Sequence, residues 1–227
     1  MNNSDRIILD LCGGTGAWSK PYKDAGYDVR VITLPDYDVT QHMFNGYYLF
    51  FPRQPEPPLS DDYRECAEGI NIFVPDIYGI LAAPPCTEFS LAKSTKPRDF
   101  QAGMIVVKAC MSIVWACRLR GTLMFWAMES PRGFLRQFIG KPAFSFEQWE
   151  FGERRIKPTD LWGYFNAPAK PVKVRPENLT TKFPNGRINT NGWSRKSHNP
   201  EYVHLTLADI RAITPPGFAK AFFKANQ

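Results

Sequence analysis

The chain has 227 residues, a formal net charge of +6 and a pI near 9.1. At that length it can bury roughly 70–75% of its unfolded surface, so it needs no staples and suits one main domain with a small appendage. Its start, Met1 to Arg6, lacks the basic flank and apolar core of a signal peptide, and no apolar run reaches about 18 residues. The expectation is a monomeric cytoplasmic protein with no membrane partner.

Five cysteines (12, 66, 86, 110 and 117) form no C-x-x-C pair, and their odd number argues against a disulfide framework or zinc site, so no metal is expected. The charge is unevenly placed. Residues 164–200 carry Lys170, Lys173, Arg175, Lys182, Arg187, Arg195 and Lys196 against Glu177 alone, which equals the excess of the whole chain. A basic stretch of this kind suits a polyanionic partner.

In chain order, Arg6–Leu11 reads as a first strand, and Cys12-Gly13-Gly14-Thr15-Gly16 as a glycine loop, with a helix opening over residues 17–22. Gly26-Tyr27-Asp28 turns the chain into a second strand, Val29–Leu34, where a parallel βαβ unit would place it. Residues 41–70 are aromatic and broken by prolines, more like an irregular insertion than a core element.

Ile72–Val74 and Tyr78–Ala82 read as two strands or as one interrupted by Pro75. Gly103–Leu119 is a helix by its spacing, with Ile105, Val106, Ala109, Ile113, Ala116 and Cys117 on the predicted buried face. Thr122–Ala127 suits a buried parallel strand that ends at Met128-Glu129-Ser130-Pro131. Phe144–Trp149 and Asp160–Phe165 suggest further strands, with a basic turn over 151–157 between them and helical elements closing the chain from Leu207. Proline content and lack of a period make 164–204 a loop-rich region.

The chemistry concentrates at Ala83-Pro84-Pro85-Cys86. Free cysteines usually behave as small buried hydrophobes. Here two prolines stop the strand and present the thiol at the sheet's carboxyl edge, where ligands bind in open α/β folds. With an ordinary pKa near 8.5 the thiol needs a nearby cation or helix amino-terminus to become a thiolate, and residues 87–93 could begin such a helix. Glu129 sits at another strand's end, beside Arg132 as a possible ion partner. The glycine loop could cradle a ligand, although it is not the G-x-G-x-x-G spacing and Thr33 stands where an acid would be expected.

In their order, these segments resemble the cytosine carbon-5 methyltransferase family over most of the chain. Asp10 to Gly16 is similar to its cofactor loop, Asp38-Val39 to its adenine-contacting pair, and Ala83 to Cys86 to its nucleophile motif. Met128 to Pro131 resembles its Glu-Asn motif with Ser130 in place of Asn. Glu153-x-Arg155-x-Lys157 resembles its Gln-x-Arg-x-Arg motif, and Pro215 to Ala219 with Asn226 its last motif.

The resemblance implies an α/β, Rossmann-like S-adenosylmethionine-dependent methyltransferase sheet at 1–163, a small basic recognition region at 164–204, and a returning helical segment at 205–227. It implies Cys86, Glu129, Arg155 and Lys157 as catalytic residues. Asp10, Cys12, Gly13, Gly14, Thr15, Gly16, Thr33, Asp38, Val39, Ala83, Pro84 and Asn226 would bind S-adenosyl-L-methionine. Ser90, Arg132 and the seven basic residues would contact double-stranded DNA. The departures at Thr33, Ser130 and Lys157 suggest a divergent short branch, such as the enzymes of bacteriophages, working in a bacterial or phage-infected cytoplasm. RNA cytosine methylation and a catalytically silent nucleic-acid-binding protein are the alternatives. Amino-group methylation ranks last, because Ala83 and Cys86 stand where it needs Asn or Asp and an aromatic residue.

Overall fold

The computed structural model describes residues 2–54, 68–93, 97–121, 123–153, 156–177, 179 and 205–227. Its strands are β1 (Ile7–Leu11), β2 (Asp28–Ile32), β3 (Met43–Asn45), β4 (Tyr48–Pro52), β5 (Gly69–Phe73), β6 (Ile77–Ala82), β7 (Phe125–Pro131), β8 (Phe144–Phe146) and β9 (Thr159–Tyr164). Its helices are α1 (Lys20–Asp24), α2 (Phe100–Arg120), α3 (Arg136–Ile139), α4 (Leu207–Ala212) and α5 (Pro216–Ala225). The fold is mixed α/β, with a six-stranded sheet in the order β2-β1-β6-β7-β9-β8. Strands β2, β1, β6 and β7 run parallel and β9 runs against both its neighbours, a pattern compatible with a Rossmann-like architecture.

Alternation along the central strands explains why both faces are covered. Leu9, Leu11, Ile80, Ala82, Met128 and Trp162 point to one face, where they pack with α2 and with Leu49, Phe51 and Ile72. Ile8, Leu81, Phe125, Ala127 and Leu161 point to the other, against Tyr22 of α1 and Phe218 and Phe222 of α5. Strands buried on both sides must be apolar at nearly every position, which β1 and β6 are.

Three sequence expectations change here, and the choice left open between two strands and one is settled. The described parts of 41–70 are not irregular: β3, β4 and β5 form a separate antiparallel sheet whose inner residues join the core, and residues 55–67 lie outside the described residues. Ile72–Val74 and Tyr78–Ala82 belong to different sheets, parted by a 3-10 turn at Val74–Asp76. The buried stripe of α2 is Val107, Cys110, Ile113, Val114 and Cys117, while Ile105 is 55% exposed. An all-round apolar helix leaves its buried face ambiguous in sequence, and packing against β6 and the 3-10 turns Val39–Gln41 and Val74–Asp76 settles it.

α1 begins only at Lys20, after a run of turns from Gly14 to Ser19, because Pro21 favours a first-turn position. By length and composition α2 could cross a membrane, but here it is a core helix beside the sheet. Most of the basic stretch, 178 and 180–204, lies outside the described residues.

Candidate active site

Strand β1 connects to β2 on one side, while β6 joins β1 on the other, so the chain reverses direction across the sheet between β1 and β6. Ligands of open α/β sheets bind at that crevice. The glycine turn leaves the carboxyl end of β1 and the Pro-Pro-Cys segment leaves that of β6. Ala83 N donates to Leu11 O at 2.9 Å and ties the two exits together.

The turn is tightly shaped. Cys12 has φ 58°, a left-handed conformation that costs a non-glycine residue energy and is common at functional sites. Gly14 and Gly16 also have positive φ. Cys12 N donates to Ile32 O at 2.7 Å, Gly16 N to Gly13 O at 2.9 Å, and Gly14 N to Thr33 Oγ1 at 3.3 Å. Gly14 faces open space, Thr15 is exposed, and any Cβ at Gly13 would collide with the Asp10 carboxyl.

Asp10 is fully buried, and Ser19 Oγ donates to its Oδ2 at 2.5 Å while Oδ1 has no partner. Burial pushes its pKa up to about 6 against the lowering hydrogen bond from Ser19. Because α1 starts at Lys20, the expected helix amino-terminus does not sit on the turn.

Asp38 caps the 3-10 turn Val39–Gln41, accepting from Thr40 N at 2.8 Å and Thr40 Oγ1 at 2.7 Å. Val39 is packed in the core. Asn226 is 5% exposed: its Oδ1 accepts from Asn166 N at 2.8 Å, and its Nδ2 donates to Asn166 O at 3.0 Å and Phe222 O at 2.9 Å. Those bonds tie the end of α5 to the segment after β9.

Cys86 follows buried Pro84 and is half-buried. Residues 87–89 are a turn rather than a helix start, with Phe89 N and Ser90 N donating to Cys86 O at 3.0 and 2.8 Å. The loop beyond is pinned by Glu88, which pairs with Lys93 and accepts from Asp99 N at 2.6 Å. Ser90 Oγ accepts from Ala92 N at 3.2 Å, and Ser90 bridges to Gly133.

β7 begins at Phe125, later than Thr122, and runs on to Pro131, so Glu129 lies inside the strand. Its parallel pairing with β6 ends at Ala82–Met128, because the prolines after Ala83 can donate nothing to a ladder. Glu129 is therefore the first residue of β7 beyond that ladder, on a level with the exit of β6. Its side chain is 15% exposed, and Lys157 Nζ stands 3.8 Å from Glu129 Oε1 while donating to Arg211 O at 3.0 Å.

Cys86, Glu129 and Lys157 feel one another's charge. Burial raises the Cys86 thiol pKa and Glu129 raises it further, while Lys157 draws it down. Burial likewise raises Glu129, with Lys157 opposing and Asp160 reinforcing. A thiol, a carboxyl and a cation thus act on one another at one edge of the sheet. Burial first, and then the charge of Glu129, hold the thiol above its ordinary value.

Arg155, Lys182, Arg187, Arg195 and Lys196 lie outside the described residues. Arg132 stands 3.8 Å from Asp160 rather than beside Glu129. Lys170 is already engaged, 3.0 Å from Glu150 and donating to Ser145 O at 2.9 Å. Lys173 and Arg175 are exposed.

Three residues that sequence reading passed over matter here. Ser19 holds Asp10. Asp160, fully buried, is gripped by Arg136 through two bonds of 2.6 Å and accepts from Ser145 Oγ at 2.7 Å. A carboxylate inside the apolar run Thr159–Trp162 is the signal that could have found it. Gln148, 1% exposed, lines the space behind Glu129, and no sequence signal marks it. No protein-family model matches the chain, and no curated protein matches it.

Proposed function

We propose that the protein is an S-adenosylmethionine-dependent DNA cytosine carbon-5 methyltransferase with Cys86 as its nucleophile. One observation carries the reading: Cys86, Glu129 and Lys157 lie close enough to act on one another's charge, at the carboxyl edge of the sheet next to the point where its strand order reverses.

The residues present suit the cofactor. An open Gly14, a positive-φ turn and a buried Asp10 carboxyl with an unpartnered oxygen make a cradle that favours a cationic ligand, and S-adenosylmethionine carries both a sulfonium and an ammonium. Asp10, Gly13, Gly14, Thr33 and Asp38 would hold it. When bound it supplies a methyl group bearing a sulfonium leaving group.

Carbon 5 of cytosine is a weak nucleophile, and a thiolate added to carbon 6 makes it enamine-like. Cys86 forms that bond, while Glu129, a carboxyl inclined to hold its proton, donates to ring nitrogen 3 as charge builds there. Lys157 favours the thiolate and pairs with Glu129 as the proton leaves. After methylation carbon 5 loses its proton to a base, the electron pair reforms the ring double bond, and the carbon 6–sulfur bond breaks to release Cys86.

In duplex DNA the base must be swung out of the stack, at a cost of a few kcal/mol. Exposed cations such as Lys173 and Arg175 would offset this through phosphate contacts, so binding should weaken by about 0.9 log units per log unit of salt for each contact. The test is transfer of labelled methyl to DNA and to RNA, with a 5-fluorocytosine oligonucleotide as trap. Label in DNA and a covalent adduct at Cys86 support the reading. Turnover by Cys86→Ser, or label in RNA alone, overturns it.

A further inference from the structure

Behind Glu129, on the side served by the end of β8 and the α4–α5 connection, lies a small cavity lined by Glu129, Gln148, Lys157, Thr159 and Thr214, with Phe146 and Phe218 as its apolar walls. It measures about 10 Å³, the room one water needs. Gln148 Oε1, on a side chain 1% exposed, has no hydrogen-bond partner among the described residues. A buried amide oxygen left without a donor costs about 1–3 kcal/mol, and Gln148 is held in place by its position in the 3-10 turn Gln148–Phe151. A buried acceptor left without a donor is unfavourable, and a single water here has Gln148, Glu129, Lys157 and Thr159 in the lining as polar partners.

We infer that this cavity holds one structural water donating to Gln148 Oε1 and to the Glu129 carboxyl, and that Gln148 is thereby a positioning residue for Glu129. The inference rests on the reading of Glu129 as the group that protonates the base. The water bonds the face of the carboxyl turned away from Cys86, fixes its orientation, and gives it a proton partner when the target base fills the cleft and excludes solvent. Among the described residues the other charged groups acting on Glu129 are Cys86 after β6, Lys157 before β9 and Asp160 on β9, whose charge Arg136 offsets. The residues that line the cavity from β8 and from the α4–α5 connection, Phe146, Ala212, Thr214, Pro215 and Phe218, carry no titratable side chain.

The test is infrared titration of the Glu129 carboxyl, assigned by difference against Glu129→Gln, in the full chain and in Gln148→Met, which keeps the side chain's length but removes its acceptor. Loss of the water should desolvate the carboxyl and raise its proton affinity about tenfold, one pH unit, with the pH profile of kcat moving the same way and KM for DNA little changed. A midpoint equal in both proteins overturns the inference. A shifted midpoint in a protein that transfers no methyl group supports the water and defeats the methyltransferase reading, so the two fail separately. Should Gln148→Met not fold, a high-resolution crystal structure of the unaltered chain decides: a water within hydrogen-bond reach of both Gln148 Oε1 and Glu129 supports the inference, and a dry cavity overturns it.

Discussion

Lys157 Nζ stands 3.8 Å from Glu129 Oε1, with both side chains largely buried, and it opposes the burial that raises Glu129 and Cys86 alike. Removing either partner therefore moves the thiol in opposite directions. Glu129→Gln takes away a negative charge, so Cys86 should titrate lower and react with iodoacetamide several-fold faster at pH 8, while methyl transfer falls by about 10²–10⁴. Lys157→Met takes away the positive charge, so alkylation should slow and shift to higher pH, and Lys157→Arg should restore it. Equal alkylation rates in all four proteins would separate these groups from the thiol.

Asp10 gives the fold a pH signature. Its carboxyl titrates near 3.8 in an unfolded chain and at about 6 when buried. Between those values the folded protein holds a proton that the unfolded one has lost, so the contribution is fully present below about pH 4 and disappears as pH rises through 6. At 1.36 kcal/mol per unit the loss is about 3 kcal/mol. Asp10→Asn should flatten this dependence in urea unfolding at pH 4.5 and 7.5, and should weaken S-adenosylmethionine binding in calorimetry. A dependence unchanged by the substitution would assign it to other groups.

Thr33 supplies the hydrogen-bond acceptor for Gly14 N at 3.3 Å. Thr33→Val keeps the shape and removes the acceptor, loosening the turn by about 0.5–1.5 kcal/mol. Cofactor affinity should fall roughly 3- to 10-fold, while the urea midpoint moves little because the site is partly exposed. An unaltered dissociation constant would show that the turn keeps its shape without this bond.

Asn226 answers a different question. Its buried amide makes three hydrogen bonds, to Asn166 and Phe222, and its carbonyl accepts from Tyr22 Oη at 3.2 Å. Asn226→Ala should cost about 2–4 kcal/mol of stability by stranding those partners. KM for S-adenosylmethionine in the surviving folded protein should stay within about twofold of the unaltered chain. A large KM effect with intact stability would place the side chain at the cofactor instead.

The sequence carried the parts of the fold that depend on local rules. Ile7–Leu11 and Tyr78–Ala82 are apolar at nearly every position because strands covered on two faces must be, and Pro84 and Pro85 end their strand because proline cannot extend a ladder. Glycine spacing likewise located the turn at residues 12–16, while the positive φ of Cys12 within it was not legible. Where several conformations satisfied the same local pattern, tertiary contact decided. Leu49, Phe51 and Ile72 of the second sheet join the buried stripe of α2 in one core, a packing that no local pattern in residues 43–52 or 69–73 reveals.

The site followed the same division. Residue types and order alone nominated Cys86, Glu129 and Lys157, yet their meeting depends on β6 lying between β1 and β7 and on β9 returning antiparallel beside Glu129. Their protonation is likewise a property of the assembled site, since burial and the charges of Lys157 and Asp160 are set by segments distant in the chain. Covalent chemistry is written residue by residue, whereas solvation and charge coupling arise only once the chain has closed around them.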